Sequence, residues 1–130
     1  MGKFLVTKTI KFEAAHRLES LPAEHQCSRP HGHSYKIEIT LTAKTLDQHG
    51  MVLDFDVLKR FVMQLDHQDL NGFVSPSTAE RLAQFIWDGL EHVVLGEMNR
   101  DTPIDKQVHI HAVTVWETEN NKVTFLGAAT

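Results

Sequence analysis

The sequence has a single cysteine, Cys27, in 130 residues. One thiol cannot form a disulfide within the chain, and this is typical of proteins in the reducing cytosol. No apolar stretch approaches the roughly 20 residues of a membrane-spanning helix, and the first residues lack the continuous apolar core of a secretory signal peptide. We therefore expect a cytoplasmic protein that does not associate with a membrane.

Positive charge is also scarce. Thirteen lysines and arginines stand against 17 aspartates and glutamates, so the formal net charge is -4. That balance argues against a general nucleic-acid-binding protein, and it means that an anionic substrate must be met by a local cluster of basic residues. Because no repeat, linker or low-complexity segment is present, we expect residues 1–130 to form one domain with a hydrophobic core.

Alternation of apolar and polar residues predicts four β-strands. They cover residues 3–15, 33–43, about 108–118 and about 122–127. His16 continues the apolar phase of the first strand just beyond its end, and Glu117 is in phase with the apolar residues of the third. Burying an acidic side chain in such a position costs free energy unless the carboxylate has a hydrogen-bond or charge partner.

Two helices are predicted between the second and third strands, from apolar stripes of helical spacing. Asp54 is expected to cap the first, and Ser77 with Glu80 is expected to form a capping box for the second. Residues 95–107 are expected to form a long irregular connection. The order ββααββ indicates an α+β fold.

The thiol of Cys27 is followed closely by His31 and His33, with one glycine between the histidines. Residues i and i+2 of a strand share a face, so both imidazoles can be aimed at one point. Two such histidines suit Zn²⁺, and His16 is the natural third ligand if the first two strands pair. A second pair of alternate histidines, in 109–111, has no thiol, glycine or acid nearby and is interpreted as surface residues.

Taken together, these patterns resemble the 6-pyruvoyl-tetrahydropterin synthase family over nearly the whole chain. The motifs that carry the resemblance are Phe12-Glu13-Ala14-Ala15-His16, Cys27-x3-His31-Gly32-His33-Ser34-Tyr35, Gly50-Met51-Val52-x-Asp54-Phe55, Leu65-Asp66-His67-x2-Leu70-Asn71, Thr78-Ala79-Glu80 and Glu117-Thr118. Each motif alone is weak, but the set is specific. The resemblance implies a tunnelling fold (T-fold), in which a four-stranded antiparallel sheet carries two helices on one face. It also implies a homohexamer built as a dimer of trimers.

The resemblance further implies a role for each candidate site residue. Zn²⁺ would be bound by His16, His31 and His33. The catalytic acid–base groups would be Cys27, Asp66 and His67, and the substrate-binding residues would be Glu117, Thr78 and Glu80. The family usually places threonine directly after proline, whereas Ser77 intervenes here.

Three residues separate Cys27 from His31, and this spacing is similar to the queuosine-pathway branch of the family, since the biopterin-pathway branch has a longer gap. The implied reaction cleaves 7,8-dihydroneopterin triphosphate to 6-carboxy-5,6,7,8-tetrahydropterin, acetaldehyde and triphosphate. The candidate ligands of the triphosphate are Lys11, Arg17, Arg29 and Lys36.

Three alternatives remain open. Within the same family, a 6-pyruvoyl-tetrahydropterin synthase would eliminate triphosphate without breaking a carbon–carbon bond. The pattern His31-x-His33-x4-Glu38 loosely fits a cupin-type metal oxygenase or isomerase, although no second cupin motif follows. A non-catalytic zinc-binding module could use the same three histidines, but it would need neither the thiol nor Glu117.

Overall fold

The computed structural model describes residues 2–127. It contains a five-stranded sheet in the order β3-β1-β2-β4-β5. The strands are β1 (Phe4–His16), β2 (His31–Ala43), β3 (Gln68–Asp69), β4 (His109–Thr118) and β5 (Asn121–Phe125). The helices are α1 (Asp56–Val62), α2 (Ala79–Gly89) and α3 (Gly96–Asn99), and a π-helical segment, Leu90–Leu95, joins the last two. None of these helices is long and apolar enough to cross a membrane.

The prediction is correct for the four long strands, but the predicted number of strands in the sheet is wrong. A fifth strand of two residues, β3, pairs in parallel with β1, so the sheet is mixed and not purely antiparallel. Two hydrogen bonds bring the chain to this edge: the His67 N–H donates to the Glu13 carbonyl at 2.6 Å, and the Glu13 N–H donates to Asp66 Oδ1 at 3.0 Å. A strand this short has no alternation that the sequence could show.

The helices cover one face of the sheet. The hydrophobic strand side chains that are at most 3% exposed on this face are Ile10, Phe12, Tyr35, Ile37, Ile39, Leu41, Val113 and Val115. The helical segments contribute Leu58, Val62, Leu82, Ile86 and Leu90. Full burial of one such aliphatic side chain stabilises the fold by roughly 1.5–3 kcal/mol, so this layer accounts for the docking of the helices.

The start of α2 differs from the prediction. Thr78, not Ser77, is the N-cap, and its hydroxyl accepts the Arg81 N–H at 3.2 Å. Ser77 is instead buried, at 2% exposure. The cap of the first helix also differs from the prediction, because the N-cap of α1 is Phe55, which makes no side-chain cap hydrogen bond. The predicted cap, Asp54, lies one residue earlier, and its Oδ1 accepts the Asp56 N–H at 3.0 Å.

The predicted irregular connection is also shorter than expected, because helical structure continues to Asn99. The side-chain amide of Asn99 then bonds both the N–H and the carbonyl of Val108, at 3.1 and 2.8 Å. This clamp closes the connection directly before β4.

Candidate active site

Three histidines meet at the end of the sheet where β1 stops and β2 starts. In the β1–β2 register, His16 lies directly opposite His31, and His33 lies opposite Ala14. One nitrogen from each imidazole lies within 4.8 Å of the other two. The ring centroids of the three histidines are 4.6 to 5.1 Å apart. The structure therefore brings together the three predicted metal ligands.

Two of the imidazoles are oriented by backbone carbonyls. His16 Nδ1 is 2.8 Å from the Ser77 carbonyl oxygen, and His31 Nδ1 is 2.8 Å from the Arg29 carbonyl oxygen. A carbonyl can only accept, so each Nδ1 carries the proton and donates it. This fixes the tautomer in which Nε2 has a free lone pair, as in histidines that bind metals.

Two imidazole nitrogens of the cluster are buried without a hydrogen-bond partner among the described residues. Nε2 of His16 and Nε2 of His33 have no hydrogen-bond partner within residues 2–127. Burial also lowers the pKa of His33, and the neighbouring His16 and His31 lower it further, while Glu117 acts in the opposite direction. The neutral imidazole is thereby favoured, and neutral imidazole is the form that binds a metal ion. The donor set fits a divalent ion that accepts nitrogen ligands, such as Zn²⁺.

Glu117 faces the same cluster from β4. Its two carboxylate oxygens lie 3.9 Å from His16 Nε2 and 3.9 Å from His33 Nε2, and its side chain is 30% exposed. The pairing of β2 with β4 ends at Lys36↔Trp116, so residues 33–35 and residues 117–119 are not paired with each other. The resulting cavity, about 530 Å³, has His33, Tyr35 and Glu117 in its lining. The acid that is in phase with apolar residues thus faces a cavity and the histidines.

Tyr35 lies beneath the histidines with a buried hydroxyl. Its ring is stacked on Phe12 with the centroids 5.2 Å apart, and the side chain is 1% exposed. The hydroxyl has no hydrogen-bond partner in the described part of the chain. Burial raises the pKa of Tyr35 well above its usual value, and Glu117 adds to the shift, so the phenol stays protonated.

We expect Tyr35→Phe to raise the free energy of unfolding by about 1 kcal/mol, because it removes a buried hydroxyl that lacks a partner and keeps the stacked ring. Chemical denaturation of the two proteins measures this difference. Tyr35→Leu is the control, since it loses the stacking and should destabilise the protein. A loss of stability in Tyr35→Phe would mean that the hydroxyl has a partner in the assembled protein.

The predicted acid–base pair lies on the edge of the sheet. Asp66 Oδ2 is 3.6 Å from His67 Nε2, and the His67 side chain is 79% exposed. His67 has a positive φ of 59°, a conformation that is uncommon for a residue with a Cβ atom. His67 lines a cavity of about 490 Å³ together with Glu13 and His33. His33 therefore lines both this cavity and the one that contains Glu117.

Cys27 lies on a single 3₁₀ turn, Gln26–Ser28, and is half-buried. Its carbonyl accepts the Leu18 N–H at 2.8 Å, which ties the turn to the end of β1. Its thiol does not belong to the group of donor atoms within 4.8 Å of one another. Thus the three histidines lie together, Glu117 faces two of them at 3.9 Å, and the Cys27 thiol is not among the clustered donor atoms.

The remaining predicted residues fall into two groups. Thr78 and Glu80 line a cavity of about 240 Å³ together with Glu117. His109 and His111 are exposed on β4, in agreement with their interpretation as surface residues.

Sequence reasoning missed a polar network behind His16. The Ser77 hydroxyl is 3.3 Å from His16 Nδ1 and 3.2 Å from Asn71 Oδ1. The Asn71 amide also bonds both the N–H and the carbonyl of Arg17, each at 2.9 Å. These residues hold the end of β1 and the ring of His16. A local signal did exist, because Ser77 separates Pro76 from Thr78 where the family pattern has no insertion.

Comparison with known proteins identifies the class. The chain belongs to the 6-pyruvoyl tetrahydropterin synthase family, whose sequence model matches residues 5–128. It is 33% identical to a human protein named 6-pyruvoyl tetrahydrobiopterin synthase, over 94% of this chain and 90% of that protein. It is 27% identical to a protein of Aquifex aeolicus named 6-carboxy-5,6,7,8-tetrahydropterin synthase, over 95% of this chain and 98% of that protein. Relatives with both names therefore have similar identity to this chain.

The fold comparison agrees. The solved structure of Caenorhabditis elegans 6-pyruvoyl tetrahydropterin synthase matches with a TM-score of 0.75 and 26% identity, over 98% of each chain. The chain therefore has the fold of this family, as the motifs predicted, with the short parallel strand as the correction.

Proposed function

We propose that this chain is a zinc-dependent carbon–carbon lyase of 7-deazaguanine and queuosine biosynthesis. It would convert 7,8-dihydroneopterin triphosphate, with uptake of water, to 6-carboxy-5,6,7,8-tetrahydropterin, acetaldehyde and triphosphate. The observation that carries the proposal is the cluster of three imidazoles with the Glu117 carboxylate 3.9 Å from two of them, beside an open cavity. Three protein ligands leave a coordination position free, and this distinguishes catalytic from structural zinc sites.

Each of these side chains would have its own role in the reaction. The Glu117 carboxylate would accept two hydrogen bonds from the aminopyrimidine edge of the pterin, a charge-assisted bidentate contact. Cys27 would act as a general base on the substrate side chain, and His67, oriented by Asp66, would carry the other protons. Zn²⁺, when bound, would supply Lewis-acid stabilisation of negative charge on the hydroxyl oxygens of the side chain.

Thr78 and Glu80 would complete the pocket around the pterin. Both line the 240 Å³ cavity that also contains Glu117. The Thr78 hydroxyl already accepts a hydrogen bond as the cap of α2, so its contact with a substrate would use its O–H donor or its remaining lone pair.

The second candidate function is elimination of triphosphate to give 6-pyruvoyl-tetrahydropterin. The human relative at 33% identity favours it. The short spacing between Cys27 and His31 and the relative from Aquifex aeolicus favour the carbon–carbon lyase.

Product analysis tests both candidates. The zinc-loaded protein is incubated with 7,8-dihydroneopterin triphosphate, and triphosphate and acetaldehyde are both measured. We expect one acetaldehyde for each triphosphate released. Triphosphate without acetaldehyde would support the second candidate, and release of neither would contradict both.

We also propose that the working form is a homohexamer of two trimers in the cytoplasm. Within residues 2–127, the outer edge of β5 has no strand partner, and only Ala14 and Ala15 of β1 pair with β3. Exposed strand edges favour pairing with another copy. Assembly would also bring further groups to the cavities that one chain leaves open. A stable monomer at micromolar concentration in sedimentation would contradict this proposal.

A further inference from the structure

Two lysines lie side by side on the sheet face opposite the helices. Lys11 of β1 and Lys36 of β2 are direct partners in the strand register. Like charges placed directly opposite one another destabilise a strand pair. Neither lysine belongs to an ion pair within 4.0 Å in the described chain, so the repulsion is not offset by a protein carboxylate.

The acids on the same face have other hydrogen-bond partners. Glu13 accepts the Ser34 hydroxyl, which lies 2.8 and 2.6 Å from its two oxygens. Glu38 accepts the indole N–H of Trp116 at 2.6 Å. The ammonium of Lys36 lies 4.5 Å from the centroid of the Trp116 ring, where a cation–π contact restrains it. One cation is therefore held in place next to a second, and both remain available to an external anion.

The lysine pair lines the same 530 Å³ cavity as His33 and Glu117. Glu117 is in phase with Val113 and Val115 of the helix face, so a ligand bound by Glu117 would reach the two ammonium groups past the edge where the pairing of β2 with β4 ends. The other basic candidates are placed differently. Arg17 is 3.9 Å from the Glu19 carboxylate, and neither Arg17 nor Arg29 is among the residues that line this cavity.

We propose that Lys11 and Lys36 form the phosphate-binding subsite of this cavity and take the oligophosphate of the substrate. The identity of that substrate rests on the proposed function, whereas the subsite itself requires only a phosphate anion. Ammonium groups bind phosphate as compact charges, and a phosphate between the lysines would replace their mutual repulsion by two attractive contacts. Glu13 and Glu119 also line the cavity and would limit the affinity for a phosphate chain that carries no pterin.

Titration calorimetry with inorganic triphosphate tests the subsite directly. We expect binding to the wild-type protein that weakens as salt is added, and a loss of about tenfold in affinity for Lys11→Gln and for Lys36→Gln, since one contact to a charged group is removed in each. Lys8→Gln is the matched control. Lys8 is also a lysine of β1, but it is half-buried, has the phase of Ile10 and so belongs to the other face. Unchanged affinity in both lysine variants, an equal loss in Lys8→Gln, or no binding to the wild type would overturn the proposal.

A second arm separates this proposal from the proposed function. Lys11→Gln should raise KM for 7,8-dihydroneopterin triphosphate about tenfold and leave the affinity for unphosphorylated dihydroneopterin unchanged. If the wild type binds triphosphate through the lysines but releases no product from the pterin triphosphate, the subsite stands and the proposed reaction is wrong. If the wild type turns the substrate over and Lys11→Gln and Lys36→Gln keep its KM, the reaction stands and the subsite is wrong.

Discussion

Replacing His31 with alanine should reduce the metal content of the purified protein from one ion per chain to nearly none. His31 contributes one of three converging nitrogens, and its Nδ1–H is already held by the Arg29 carbonyl, so the ring is preorganised for an ion on the other side. Loss of a residue that only hydrogen-bonds a metal ligand costs about 10–100-fold in metal affinity, and loss of a ligand itself should cost more. Elemental analysis after dialysis against metal-free buffer measures the effect.

The chain offers a matched control in His109→Ala. His109 is an exposed strand histidine in the second pair of alternate histidines and lies outside the cluster. This variant should keep its metal. Full retention in His31→Ala, or loss only in His109→Ala, would contradict the assignment of the ligands.

In Cys27→Ala, we expect the turnover number to fall by roughly 10²–10⁴-fold, the usual contribution of one acid–base group. Metal content and pterin affinity should survive, because the thiol lies outside the histidine cluster and Glu117 is untouched. Cys27→Ser keeps the size of the side chain but holds its proton far more tightly, so it should be impaired in the same way. Normal turnover in either variant would make Cys27 a packing residue.

Glu117→Ala should mainly weaken the binding of the pterin, whereas Cys27→Ala should mainly lower the turnover number. Without the carboxylate, the donors of the pterin would be left unpaired in the cavity, at a cost of about 1–3 kcal/mol in binding. Equilibrium binding and steady-state rates of the two variants separate the roles: the Cys27 variant should mainly lose turnover, and the Glu117 variant should mainly lose affinity. Equal effects of both variants on affinity would contradict these roles.

The elements that the sequence predicts well are those with a local pattern. The four long strands alternate over at least five residues, and their bounds differ from the structure by no more than about two residues. Glu117 was found because an acid in an apolar phase needs an explanation. The structure supplies that explanation, since its oxygens lie 3.9 Å from two imidazoles.

The features that escaped prediction depend on contacts between distant residues. Ser77 and Thr78 are both good helix caps by type, and only the burial of Ser77 against His16, 61 residues away, decides between them. The strand β3 exists because Asp66 and His67 bond to the backbone of Glu13. Glu117 and His67 also line two different cavities. Neither of the two motifs that contain these residues predicts this separation, because it depends on how the strands are arranged in the sheet.

The hydrogen bond from His16 to the Ser77 carbonyl has a thermodynamic consequence. Ser77 directly precedes Thr78, the cap of α2, so the orientation of one imidazole depends on how firmly the start of that helix is docked. If that helix start frays, His16 loses its acceptor. By linkage, an ion that binds only the ordered cluster must oppose the fraying with its own binding free energy. Metal binding and fraying of the start of α2 are therefore coupled, and the backbone amides at this end of the sheet should exchange with solvent more slowly when the ion is bound.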